Sequence, residues 1–179
     1  MDAFIAAVRR AEPGAVALVI AGIGALTICG FLFFQYVLGY PPCPLCYEQR
    51  QAYYIGVPLA ILLWLGTNYG ASSKVLLGGF GVLVLAFLWN AGLGVYHSGV
   101  EWKFWQGPTD CSGPLDNLGG KGGLLNQLQS ISVVRCDEAA WRLFGISLSG
   151  YNVLVSLAEA ALAAHGLREM WRRPVPPKY

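Results

Sequence analysis

Charge is what this sequence has least of. Only 12% of its 179 residues are Asp, Glu, Lys or Arg, against about 25% in soluble domains. Apolar residues make up 55%, and together the two figures exclude an ordinary soluble domain and indicate an integral membrane protein. The few Lys and Arg form no basic stripe and no nucleic-acid motif is present, so nucleic acid is not an expected partner. Flavin and nicotinamide fingerprints are also missing. The two histidines stand at no metal-ligand spacing, so no metal-binding residue is expected.

What the sequence has instead is long uncharged runs. Gly14 to Leu38 carries no charge and is almost wholly apolar. A membrane-spanning helix needs about 20 such residues, and a secretory signal has a shorter apolar region of about 7–15. This run therefore reads as a retained first span. Further spans are expected over 48–67, 75–96 and 146–167, giving an all-α, four-transmembrane-helix bundle as a single domain over 1–179. The connections are a short hinge over 39–47 and a long hydrophilic loop over 97–145. Within that loop Leu124, Leu125, Leu128 and Ile131 fall at helical spacing, as in a short amphipathic helix on the membrane surface. Glu159, the acidic residue well inside a span, is expected to pack or to snorkel.

The five cysteines are Cys29, Cys43, Cys46, Cys111 and Cys136. Cys29 lies mid-span and reads as a small apolar packing residue. Cys43 and Cys46 stand three apart at an expected helix start, with Pro44 suited to a first helical turn. Unpaired N–H groups and the helix dipole favour a thiolate there. Arg50, four residues after Cys46, shares its helical face and would support that charge. The four polar residues Glu48 to Gln51 beside the pair favour function for at least one of them.

Charge sets the orientation. With four spans, both termini and the Thr67–Lys74 turn share one side, which holds Arg9, Arg10, Lys74, Arg168, Arg172, Arg173 and Lys178 against Asp2, Glu12 and Glu169. The other side holds Arg50, Lys103, Lys121, Arg135 and Arg142 against six acidic residues. The positive-inside rule places the termini in the cytoplasm. All cysteines but Cys29 then face the outer compartment, which in a bacterium is the oxidising periplasm.

Two cysteine pairs outside the membrane allow several readings. A fixed Cys111–Cys136 bridge would stabilise the loop by roughly 3–4 kcal/mol. Fixed bridges in both pairs, or a metal held by four sulfurs, would make a structural protein. Two nearby dithiol pairs can also form a relay that passes oxidation through mixed disulfides. The loop pair could reach a soluble partner, and the helix pair a lipid-soluble acceptor such as quinone.

Cys43-Pro44-Leu45-Cys46 with Arg50 resembles the disulfide bond formation protein B (DsbB) family. So do the Tyr96-His97-Ser98-Gly99-Val100-Glu101 run with Trp105, Gly107-Pro108 and Cys111, and Cys136-Asp137 with Trp141 and Tyr151-Asn152. The match runs along essentially the whole chain. The resemblance implies a quinone-dependent oxidant of the bacterial inner membrane that reoxidises a DsbA-like periplasmic thioredoxin-fold protein. It implies that Cys43 and Cys46 are the quinone-proximal pair, with Cys46 the thiolate that contacts ubiquinone or menaquinone, Arg50 its support and His97 near the quinone. It further implies that Cys111 and Cys136 are the loop pair, that Cys111 is attacked by the partner, and that a Cys43–Cys136 disulfide is an intermediate.

Overall fold

The computed structural model describes residues 12–108 and 135–172. They form four helices, α1 (Pro13–Tyr36), α2 (Pro44–Tyr69), α3 (Ser73–Glu101) and α4 (Leu148–Arg172). A small ribbon, β1 (Arg142–Leu143) and β2 (Ile146–Ser147), precedes α4. Cys111 and the amphipathic helix expected over 124–131 lie outside the described residues.

Local chemistry sets these boundaries. Pro13 opens α1 and Pro44 opens α2, where a missing N–H is tolerated. Gly70, at φ 79°, closes α2 in the left-handed region that glycine enters without strain. Helix α3 runs five residues past the expected Tyr96, so His97 and Glu101 sit on its last turn instead of in the loop. Trp105 then folds back, its indole donating to the Tyr96 carbonyl at 2.9 Å and its ring stacking on Tyr96. The ribbon turns at Phe144 (φ 49°) and Gly145 (φ 80°), the pair of positive φ values a two-residue hairpin requires. It delivers Ser147 to the start of α4, where the hydroxyl accepts from the Gly150 N–H at 3.3 Å.

Each helix packs on its sequence neighbours, and α4 closes on α1. The core joins Val16, Ala17 and Ile20 of α1, Ala60 and Leu63 of α2, Phe80, Leu83 and Phe87 of α3, and Ala160 and Ala163 of α4. Outward faces stay apolar, with Leu26, Leu85 and Trp89 each at least 70% exposed. A surface of this kind suits lipid, not water. Helices α1 and α3 are long and apolar enough to cross a membrane.

One expectation changes and another is narrowed. Cys29 is exposed on the outer face of α1, so it does not pack in the bundle. Of the two roles expected for Glu159, it packs and does not snorkel. It is fully buried, Gly24 and Tyr53 lie beside it, and its carboxylate oxygens have no hydrogen-bond partner.

Gly166 shows how closely α3 and α4 approach. A Cβ there would lie 2.5 Å from the fully buried Phe80 ring, whereas one at Gly78 would meet nothing within 4 Å. Gly166→Ala is expected to cost about 1–3 kcal/mol and to lower the Tm in detergent, with Gly78→Ala leaving the Tm unchanged or higher.

Candidate functional site

Cys43 is the residue before the first turn of α2. Its backbone is extended, and its sulfur accepts the Cys46 N–H at 3.2 Å. The sulfur does what a Ser or Asp side chain does at other helix starts, which fixes Cys43 against Cys46. Cys43 is 3% exposed. Cys29, Cys43 and Cys46 are free thiols, and Cys136 is in a disulfide. Cys43, Leu45, Val100 and Cys136 share one buried cluster against which Cys46 packs. The structure thus brings together three of the expected redox cysteines, and the fourth, Cys111, lies outside the described residues.

The segment carrying Cys136 is pinned over the end of α3. Asp137 accepts from the Lys103 ammonium at 2.9 Å and from Arg135 at 2.8 and 2.9 Å. Arg135, then Lys103, hold the Asp137 carboxyl well below the usual carboxylate range.

Arg50 is buried under aromatic cover. Its guanidinium lies 4.5 Å from the Phe31 ring centre and 5.2 Å from that of Tyr47, and donates to the Gln35 side-chain Oε1 at 2.6 Å. The two sulfurs share a proton unevenly. Cys43 is pushed up by the hydrogen bond it gives Cys46, then by burial. Cys46 is pulled down by that same bond, with help from the Cys43 backbone and the Arg50 charge, while burial and Glu101 oppose. The backbone N–H on Cys43 works the other way, but the cation favours a thiolate at Cys46.

His97 reaches this pair from the opposite helix. Its Nε2 lies 3.7 Å from the Cys43 sulfur and 3.7 Å from a Glu101 oxygen. Its Nδ1 accepts from the Gln49 amide nitrogen at 2.7 Å. An amide NH2 only donates, so with this amide orientation Nε2 carries the ring proton, on the side of Cys43 and Glu101, and the ring also bonds the Cys136 backbone. The chain continues: Asn152 donates to Gln49 at 2.7 Å, and Tyr53 donates to Asn152 at 2.6 Å. Ser156 lies 3.1 Å from Tyr53 and accepts from Asn90 at 2.9 Å. On its other side Glu101 accepts from Ser149 at 2.9 Å, and Ser149 contacts Ser98 and Ser147.

The sulfurs open onto a cavity of about 270 Å³. Phe31, Phe34 and Val155 give it apolar walls, while Cys46, Arg50 and His97 line its polar part. That combination fits a flat apolar ring with polar edges.

Arg50 and His97 were legible in the sequence, but Glu101, Tyr53 and Asn90 were not singled out. Of Glu48 to Gln51, Gln49 and Arg50 are the inward pair. One available signal was the i, i+4, i+7 spacing of Asn152, Ser156 and Glu159 in an otherwise apolar run.

Residues 13–166 match the family model described as Disulfide bond formation protein DsbB. The chain belongs to the DsbB family. It is similar to Disulfide bond formation protein B of Marinobacter nauticus, 29% identical over 176 residues, covering 91% of this chain and 92% of that one. With the protein of the same name from Xanthomonas oryzae pv. oryzae it shares 28% over 151 residues, 79% and 86% of the two chains. An uncharacterized protein of Rickettsia prowazekii is 23% identical over 142 residues, 78% and 79% of the two. No solved structure matches the chain. DsbB-family membership makes this a disulfide bond formation protein with disulfide oxidoreductase activity. With α1 and α3 able to cross a bilayer, it is a membrane protein.

The proton sharing has a measurable consequence. In the reduced protein Cys46 should alkylate at a pH below the ordinary thiol range near 8.5. Arg50→Met removes a lowering influence, so the midpoint of the alkylation rate against pH moves up. Cys43→Ala removes the largest one and moves it further. An unchanged midpoint in both variants would contradict this assignment.

Proposed function

We propose that the chain reoxidises a DsbA-like periplasmic dithiol protein and passes the electrons to quinone. The observation that carries this reading is the opening of the Cys43–Cys46 pair onto a cavity with apolar walls and with Arg50 and His97 at its polar part. The chain is read as a four-span protein of the bacterial inner membrane, with both termini cytoplasmic and the cysteine-bearing end periplasmic.

The balance is simple. The partner's dithiol loses two electrons and two protons and closes to a disulfide, and quinone becomes quinol. A bound quinone, ubiquinone or menaquinone, supplies a membrane-resident acceptor for two electrons and two protons. The chain's own residues do the exchange. A partner thiolate attacks Cys111 of a Cys111–Cys136 disulfide, and the partner's second thiolate then releases Cys111. Cys136, freed as a thiolate, attacks Cys43 of a Cys43–Cys46 disulfide and expels Cys46. The burial of Cys136 and Cys43 in one cluster supports that step, and the lowered Cys46 makes it a good leaving group facing the cavity. Cys111 then attacks Cys136, restoring the loop disulfide and releasing Cys43. Arg50 holds the Cys46 charge, and His97 presents a ring N–H to the Cys43 sulfur as that sulfur departs.

The test is direct. Purified full-length protein is mixed in detergent with a reduced DsbA-like partner and ubiquinone or menaquinone, and partner thiols and quinone absorbance are followed together. Two partner thiols lost per quinone reduced, with both losses abolished by Cys46→Ser, are expected. Thiol loss without quinone loss would refute quinone as acceptor. No thiol loss with either quinone would favour fixed bridges or a metal-binding protein.

A further inference from the structure

The reduced site has a second chemistry that needs no quinone. We infer that Cys43, Cys46 and His97 form a binding site for a thiophilic divalent cation, Zn²⁺ above all, open only while the pair is a dithiol. One ligand atom from each of the three lies within 4.8 Å of the others. Zinc bonds of about 2.3 Å to sulfur and 2.0–2.1 Å to nitrogen, at the tetrahedral angle, separate S from N by about 3.6 Å. The Cys43 sulfur and His97 Nε2 stand 3.7 Å apart.

The surroundings suit such a site. Cys-x-x-Cys is a recurrent zinc-ligand spacing, and here the backbone N–H of Cys46 already orients the Cys43 sulfur. Two thiolates would neutralise the cation, which a buried position demands. The adjoining cavity gives water access to a fourth position. The ligand set is the soft mixture that selects zinc over magnesium or calcium.

Loading has one structural requirement. Nε2 must offer a lone pair, so the ring proton must move to Nδ1 and face a hydrogen-bond acceptor. Gln49 can provide one by turning its amide, since its oxygen then faces Nδ1. Asn152 and Tyr53 can follow by reversing their own bonds, with Asn90, which donates to Asn152 at 3.3 Å, turning its amide to present the oxygen that now has no partner. Gln49 then orients the ligand histidine from behind, a role whose loss typically costs about 10–100-fold in metal affinity. Binding displaces the protons on the two sulfurs and moves no electrons. The bound cation holds the dithiol reduced and keeps its sulfurs from the cavity.

The experiment is a Co²⁺ titration of the full-length chain in detergent. It carries Cys111→Ser and Cys136→Ser and is reduced with a phosphine. Zn²⁺ affinity is then read by displacement. We expect one Co²⁺ per chain with a thiolate-to-metal absorption band, unaffected by Cys29→Ser and lost when Cys43 and Cys46 are oxidised to a disulfide. His97→Asn should weaken Zn²⁺ by more than about tenfold, and Gln49→Leu by about 10–100-fold. Gln49→Glu places a permanent acceptor behind Nδ1 and should tighten Zn²⁺ by about tenfold, a gain that a damaged fold does not produce. Absence of the band in the reduced chain, or affinity unmoved by both His97→Asn and Gln49→Glu, would overturn the inference. The readout involves no quinone turnover, so failure of the proposed oxidase reaction leaves it standing.

Discussion

The arrangement depends on how α2 begins. A helix start carries N–H groups without partners, and in a buried place each must be satisfied. Here the first acceptor is a sulfur, that of Cys43. Using a cysteine as the cap fixes the Cys43–Cys46 geometry and buries Cys43 among Leu45, Val100 and Cys136. It also directs the helix dipole at the pair. Gln49 and Arg50 follow on the first turns of the same helix, so one helix start supplies both sulfurs, the cation and the residue that orients His97.

The polar groups around that start form a single connected system. His97, Gln49, Asn152, Tyr53 and Ser156 come from three helices and are linked by side-chain hydrogen bonds. Buried polar groups are costly unless paired, and here each link in the chain satisfies the next. Gln, Asn, Tyr and Ser can each serve in either direction. Reversing the chain also turns Asn90, which donates to Asn152 at 3.3 Å and to Ser156 at 2.9 Å and whose own amide oxygen is buried without a partner. Glu159 stands apart, buried on the same helix as Ser156 and without a hydrogen-bond partner.

Much of this was legible in the sequence because the signals are local. Apolar runs gave the helices to within a few residues, and Pro44 between the cysteines marked the start of α2. Arg50 at four residues from Cys46 gave the shared face. What was hidden is long-range or unpatterned. Gln49 meets Asn152 across 103 positions, and Cys43 meets His97 across 54, separations no local period encodes. The extension of α3 to Glu101 was obscured because polar residues end an apolar run before they end a helix. Helix α1 is apolar on every face, so nothing in its pattern tells outward Cys29 from inward Gly24. The ribbon before α4 has two residues per strand, too few for alternation to register.

The central claim is that the Cys43–Cys46 pair and the cavity beside it are one quinone-reacting site. A photoreactive ubiquinone analogue, cross-linked to the full-length protein in detergent and mapped by mass spectrometry, tests it most directly. The account predicts labels on cavity-lining residues of the α1 segment Gly30–Phe34 and the α4 segment Ser149–Val155, competed away by unlabelled ubiquinone. Saturable, competed labelling confined to residues away from those segments and the α2 start would contradict it.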